Sequence, residues 1–192
     1  MNRLQVLVIF AAFGQIIGDL SGDILRAVSS NDVGEVGSII DQNRDSLGSL
    51  INIREAGSGQ TPLMKSILMG HTEMVRILLM LPEVDVSLGE KDGYTAFHGA
   101  GFQGRAEIAK LLLEDSRNID PNTFHEDGFA PLHRACWGRE QRHVDTIRVL
   151  VDTGKVRWDM KTKNGKTCRD IAMSPLIVNV MKEYANKAKK EL

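Results

Sequence analysis

Apolar positions along the chain fall into short blocks at helical spacing, and the blocks recur. Between His71 and Pro82, Met74, Val75, Ile77, Leu78 and Leu81 make one stripe with Thr72, Glu73 and Arg76 between them. That spacing predicts an amphipathic helix. Leu81-Pro82 closes it, because the residue before a proline avoids the α region. Matching blocks run from Arg105 to Leu113 and from His143 to Val151. Ahead of each stands a second block: Thr61-Pro62-Leu63-Met64, Thr95-Ala96-Phe97-His98 and Ala130-Pro131-Leu132-His133. Thr61 and Thr95 are N-cap candidates whose hydroxyl can take an orphan amide. Pro62 and Pro131 follow at the first helical position, where a missing N–H does no harm. Small residues come next, Ser66, Ala100-Gly101 and Ala135-Cys136, which let a neighbouring helix approach closely. One such unit alone would expose its apolar face, and stacking buries it.

The units keep register. Gly59, Gly93, Gly128 and Gly165 are separated by 34, 35 and 37 residues. This period and the pattern G-x-T-P-L-H-x-A resemble ankyrin repeats over residues 20–187. The resemblance implies an all-α solenoid of stacked helix pairs with short β-hairpin-like finger loops. Full repeats are expected at 58–91, 92–126 and 127–163, between an N-terminal capping helix pair with a long loop (19–57) and a degenerate capping repeat (164–192). Ile24, Leu25, Ala27 and Val28, then Val33, Val36, Ile39 and Ile40, space like a helix pair without the turn signature. Asp19, Asp23, Asp32 and Glu35 make its outside polar. At the other end Leu176, Ile177, Val180, Met181 and Tyr184 form one stripe. The third repeat departs from the pattern: Gly128 to His143 spans 15 residues where Gly59 to His71 spans 12, which lengthens the charged turn Gly138–Arg142.

Residues 1–18 stand apart. One positive charge at Arg3 precedes the apolar run Leu4–Phe13, and Gly14 and Gly18 follow. This is the layout of a secretory signal peptide, too short and interrupted for a spanning helix. Lys189-Lys190-Glu191-Leu192 resembles the K-D-E-L retention address in three of four positions, so a lumenal protein is expected, with the cytoplasm as the alternative.

Net charge is −1 and 42% of residues are apolar, which argues against a coat for nucleic acid or anionic membrane. The charge is uneven: residues 155–169 hold Lys155, Arg157, Lys161, Lys163, Lys166 and Arg169 against Asp159. A nucleic-acid binder working through this basic end ranks behind the other readings, since no base-reading signature accompanies it.

His125, Glu126, Asp127, His133 and Cys136 crowd into twelve residues and invite a metal reading. A metal-dependent enzyme using His133 and Cys136 is therefore the rival function. Against it, His133 and His98 hold the same repeat position, where the resemblance implies a structural hydrogen bond, and Met64 replaces them in the first full repeat. His125 and Glu126 are expected at a hairpin tip, pointing away from the helices. No H-E-x-x-H, G-x-S-x-G or phosphate-loop motif occurs, so neither catalysis nor a cofactor is expected. Cys136 and Cys168 sit five positions apart in the motif. Stacked helices are not expected to bring such mismatched positions within the 7 Å or so a disulfide needs, which predicts two reduced, buried thiols.

In proteins of this kind partner contacts come from the finger tips, the residue after the repeat glycine and the end of the first helix. Carried onto this chain, those positions are Leu68 and Met69, Tyr94 and Phe102, and Phe129 and Trp137, with Gln60, Lys91, Asp92, Gln103, Glu126 and Asp127 beside them. Four of the eight aromatic residues beyond position 18 fall in this set. Large apolar side chains on a surface that is normally polar suggest a binding patch. The reading is a non-catalytic, monomeric scaffold or adaptor that binds another protein through a concave groove. No small-molecule substrate is expected, and no membrane contact once the leader is removed.

Overall fold

Helices begin where the caps are. Thr61 Oγ1 accepts the amide of Met64 at 3.2 Å, and Pro62 is the first residue of the helix it caps. The computed structural model of the chain describes residues 18–90 and 92–190. The leader-like run, Lys91 and the last two residues of the Lys-Lys-Glu-Leu ending lie outside them. The helices are α1 (residues 18–29), α2 (Val33–Gln42), α3 (Leu47–Ile51), α4 (Pro62–Met69), α5 (Thr72–Leu79), α6 (Ala96–Gln103), α7 (Ala106–Glu114), α8 (Pro131–Cys136), α9 (Gln141–Asp152), α10 (Cys168–Ile171) and α11 (Pro175–Lys190). Among the described residues there is no strand, only an isolated bridge between Lys161 and Thr167. None of these helices is long and apolar enough to cross a membrane.

The helices form pairs, α4 with α5, α6 with α7 and α8 with α9, and each pair packs on the next. Ile67, Met74, Val75 and Leu78 of the first full pair are buried, as are Phe97, Ile108, Ala109 and Leu112 of the second and Leu132, Val144, Ile147 and Leu150 of the third. One core therefore runs the length of the stack. The connection from Ile40 to Gly59 was expected to be a long loop. A 3₁₀ turn (Arg44–Ser46) and α3 occupy part of it, because Leu47, Leu50 and Ile51 are spaced to bury one helical face. At the other end Ile177, Val180, Met181 and Tyr184 are buried, while Leu176 is exposed.

Fingers between the pairs are four similar turns, the first one residue longer than the others. Glu55, Glu90, His125 and Thr162 donate their amides to the carbonyls of Gln60, Tyr94, Phe129 and Lys166 at 2.8–3.0 Å. The repeat glycines Gly59, Gly93, Gly128 and Gly165 sit in these turns with φ between 73° and 85°, which explains the register seen in the sequence.

Helix ends are satisfied by the next repeat. His71 Nδ1 lies 3.0 Å from the carbonyl of Val28, Arg105 Nη2 donates to those of Leu68 and Met69 at 3.2 Å, and His143 Nε2 lies 3.2 Å from that of Phe102. Those of Leu68, Met69 and Phe102 would otherwise be orphans of a helix C-terminus. The equivalence of His71, Arg105 and His143 in the sequence is thus a shared structural duty.

Neighbouring first helices stack with a stagger. A Cβ placed on Gly101, the sixth residue of α6, would lie 2.5 Å from the carbonyl oxygen of Pro131, the first residue of α8. Cys136 and Cys168 occupy the same two places one repeat later. They form a disulfide with Cα atoms 5.6 Å apart, buried on both sides. The expectation of two free thiols is therefore wrong. Five positions of offset in the motif is what the stagger brings together, not what it keeps apart. A crosslink across 32 residues stabilises a fold of this kind by about 2–4 kcal/mol.

The stagger predicts that Gly101→Ala destabilises the chain. Alanine gains about 1 kcal/mol of helix propensity, but its methyl must separate α6 from α8, and overpacking costs about 1–3 kcal/mol. A urea midpoint equal to or above that of the unsubstituted chain would refute the close contact.

Candidate functional site

The first helix of each repeat carries its functional side chains at fixed positions. Its third residue is Met64, His98 or His133. His98 Nδ1 accepts the amide of Thr95 at 3.3 Å and lies 2.8 Å from the Thr95 hydroxyl, so Nε2 carries the proton and donates to the carbonyl of Phe129 at 3.1 Å. His133 repeats this, with Nδ1 taking the amide of Ala130 and Nε2 donating to the carbonyl of Met160, both at 3.1 Å. Each ring therefore pins its own helix to the next finger. Burial holds both imidazoles neutral, pushing His98 down to about 4 and His133 below its ordinary value. His133 has no free nitrogen and Cys136 no free thiol, so the pair required by the metal-enzyme reading is already engaged.

The fourth residue is Lys65, Gly99 or Arg134. Arg134 is buried, with its side chain 7% exposed, and pairs with Asp127 of its own finger at 2.6 Å. Its guanidinium carbon lies 5.1 Å from the ring centroid of Tyr94, 5.5 Å from that of Phe129 and 4.6 Å from that of Trp137. Phe129 and Trp137 pack on each other at 4.7 Å between centroids. A cation desolvated among ring faces is held by their quadrupoles as well as by its carboxylate. Burial works against the Asp127 carboxylate, but hydrogen bonds from His125 and Arg134 outweigh it and hold its pKa below the ordinary value. Burial raises the Tyr94 phenol, Arg134 opposes that rise, and Glu90, Asp127 and Asp92 add to it.

His125 does not point away from the helices as expected. Its side chain is 11% exposed. Nδ1 is 3.0 Å from Asp127 Oδ1 and 3.3 Å from Arg134 Nη2, and the ring meets those of Tyr94 and His98 at 5.8 and 6.0 Å. The tip turns inward because Arg134 and Asp127 offer it polar partners beside aromatic faces.

The six side chains singled out by the sequence do not make one strip. Leu68, Tyr94 and Phe102 line a recess of about 330 Å³ together with Glu90, Asp92, Gln103 and Arg134. Phe102 and Met69 are 48% and 44% exposed. Phe129 and Trp137 are half-buried against Arg134 and brace the site from behind. Neither Arg134 nor His125 was singled out for the groove. The available signal was Lys65, at the same helix position, which pairs with Glu55 of its own finger at 2.6 Å. The lengthened turn of the third repeat stays at the rim, where Arg139 Nη2 donates to Met173 Sδ at 3.8 Å and Arg142 pairs with Glu140 at 2.8 Å.

The neutral histidines predict a pH dependence of stability. His98 has an ordinary pKa of 6.5 when unfolded and about 4 when folded, so the unfolded chain takes up the proton first. Stability is fully present above pH 6.5 and falls as pH drops toward 4, by about 2 kcal/mol from this group between pH 7 and pH 5. Urea midpoints at the two pH values should show the loss, and His98→Gln should remove much of it. An unchanged slope in the variant would contradict the assignment.

Comparison with known proteins returns the pattern named ankyrin repeats (3 copies) over residues 24–125 and, overlapping it, 79–164. Among individual proteins, the human BCL-6 corepressor-like protein 1 is 28% identical over 66% of this chain. The mouse protein phosphatase 1 regulatory subunit 12A is 40% identical over 43% of it. The human SMC5-SMC6 complex localization factor protein 1 is 26% identical over 80% of it. The matches span only 7%, 7% and 14% of those proteins' own lengths.

Proposed function

This chain belongs to the ankyrin-repeat family, whose repeats are protein–protein interaction modules, and from that premise we propose that it is a non-catalytic adaptor holding a partner protein in its concave groove. One observation carries the reading. Phe102 and Met69 stand exposed beside a recess whose walls are already held in place by the Arg134 cluster. Exposed apolar anchors next to a preformed pocket are the layout of a binding hot spot, and a site rigid before binding loses little freedom on complex formation. The groups with most chemical potential, His98, His133 and the Cys136–Cys168 pair, are engaged in holding the stack together. The regulatory subunit and the localization factor among the relatives are named for acting with other proteins, in keeping with an adaptor.

The reading extends to the compartment. The signal-like run at residues 4–13 and a buried disulfide both suit a protein of the secretory pathway. Thiol alkylation of intact cells before lysis tests this: Cys136 and Cys168 should resist labelling until reduced, and prompt labelling after denaturation without reductant would argue for the cytoplasm.

Phe102→Ala is the sharpest test of the groove. Its ring is 48% exposed, so the thermal midpoint should barely move, whereas affinity for a partner captured by the full chain should fall by about 2 kcal/mol or more. Equal capture by Phe102→Ala and Tyr94→Ala variants that remain folded would overturn the proposal.

A further inference from the structure

Charge reverses along the row of fingers. The second and third carry Glu90, Asp92, Glu126 and Asp127 against Lys91. The fourth carries Lys161, Lys163 and Lys166 within six residues and no acid among them. All three lysines are exposed. Lys166 follows the repeat glycine, the place that Tyr94 and Phe129 hold in the two preceding units. The acids flanking this finger are already engaged. Asp159 pairs with Arg157 at 2.7 Å, and Asp170 accepts the amide and the hydroxyl of Thr167 at 2.8 and 2.7 Å. Among the described residues none of the three lysines has an ion pair.

The turn that presents them is fixed. The Lys163 amide donates to the carbonyl of Gly128 at 3.0 Å, which ties this finger to the third, and the Lys166 amide donates to the Thr162 hydroxyl at 3.1 Å. Thr162 is buried, and His133 holds the start of the finger through the carbonyl of Met160. Cations offered from a fixed backbone lose only side-chain freedom on binding. The same unit carries apolar surface. Met173 is 64% exposed, and Arg139, two residues past Trp137, reaches its sulfur. Met173 therefore stands beside the end of α8 and carries the exposed series of Met69 and Phe102 into the last unit.

We propose that this last unit docks an acidic segment of the partner protein. Its carboxylates meet Lys163 and Lys166, and an apolar residue beside them packs on Met173. Charge complementarity selects this occupant. A nucleic acid or an anionic membrane is negative throughout, and beyond the fourth finger it would face the acids of the third and second. A protein segment can change sign along its length. The inference rests on the groove reading above and adds the chemistry of the segment held at its last unit.

The test uses a phage-displayed library of random twelve-residue peptides selected on the full chain. Selected peptides should share Asp or Glu next to an apolar residue. Replacing those acids by Asn or Gln should weaken binding about ten-fold. The double variant Lys163→Gln, Lys166→Gln should weaken the parent peptide equally and leave the affinity of the neutral peptide unchanged, since both changes remove one interaction. Added salt should weaken the complex only where both sets of charges remain. Lys163→Glu, Lys166→Glu should prefer a peptide whose acids have become lysines. Both double variants should melt like the unsubstituted chain, because the lysines are exposed. Peptides that depend on Phe102 but share no acid would overturn this inference and leave the groove standing. A single-stranded oligonucleotide or phosphatidylserine vesicles that bind through the same lysines and displace the peptide would overturn the protein segment as occupant. Selection that yields nothing, or peptides indifferent both to Phe102→Ala and to the lysine variants, would overturn the groove and the inference together.

Discussion

The close, staggered approach of neighbouring first helices is the constraint on which the other features depend. The sixth residue of one helix abuts the first of the next, as at Gly101 with Pro131 and Cys136 with Cys168. At that distance the carbonyls ending one helix come within reach of His71, Arg105 or His143 of the following unit. The third-position histidines reach the next finger for the same reason. Fingers have little core of their own, so the bonds from His98 to Phe129 and from His133 to Met160 fix where the fingers stand. A site assembled from finger tips and helix ends is then only as well defined as the stacking distance.

Arg134 shows how the stack builds a polar centre without leaving it unstable. A buried guanidinium is tolerated when its charge and planar faces both find partners. Asp127 answers the charge, and Tyr94, Phe129 and Trp137 answer the faces. Three repeats contribute to the result: Tyr94 comes from the second finger, Arg134, Phe129 and Trp137 from the third unit, and Leu68 closes the recess from the first. Aromatic residues that look alike in the sequence thereby divide their duties. Phe129 and Trp137 pack on Arg134, and Phe102 and Met69 remain exposed.

The sequence by itself determined the register of the repeats and the fold. Those follow from local rules: glycines at positive φ in each finger, Thr61 and Pro62 at a helix start, apolar spacing that demands a neighbour. Position within the repeat was also enough to separate structural histidines from ligands at His98 and His133. What only the tertiary structure decided are contacts between units. The offset between stacked helices is not encoded in any one repeat, so the Cys136–Cys168 bond was hidden behind a motif mismatch of five positions. The same holds for the arginine among the rings, for the inward turn of His125 and for the division of the aromatic set into two groups. Each depends on distances across a repeat boundary, which are set by how closely the helices pack and not by spacing along the chain.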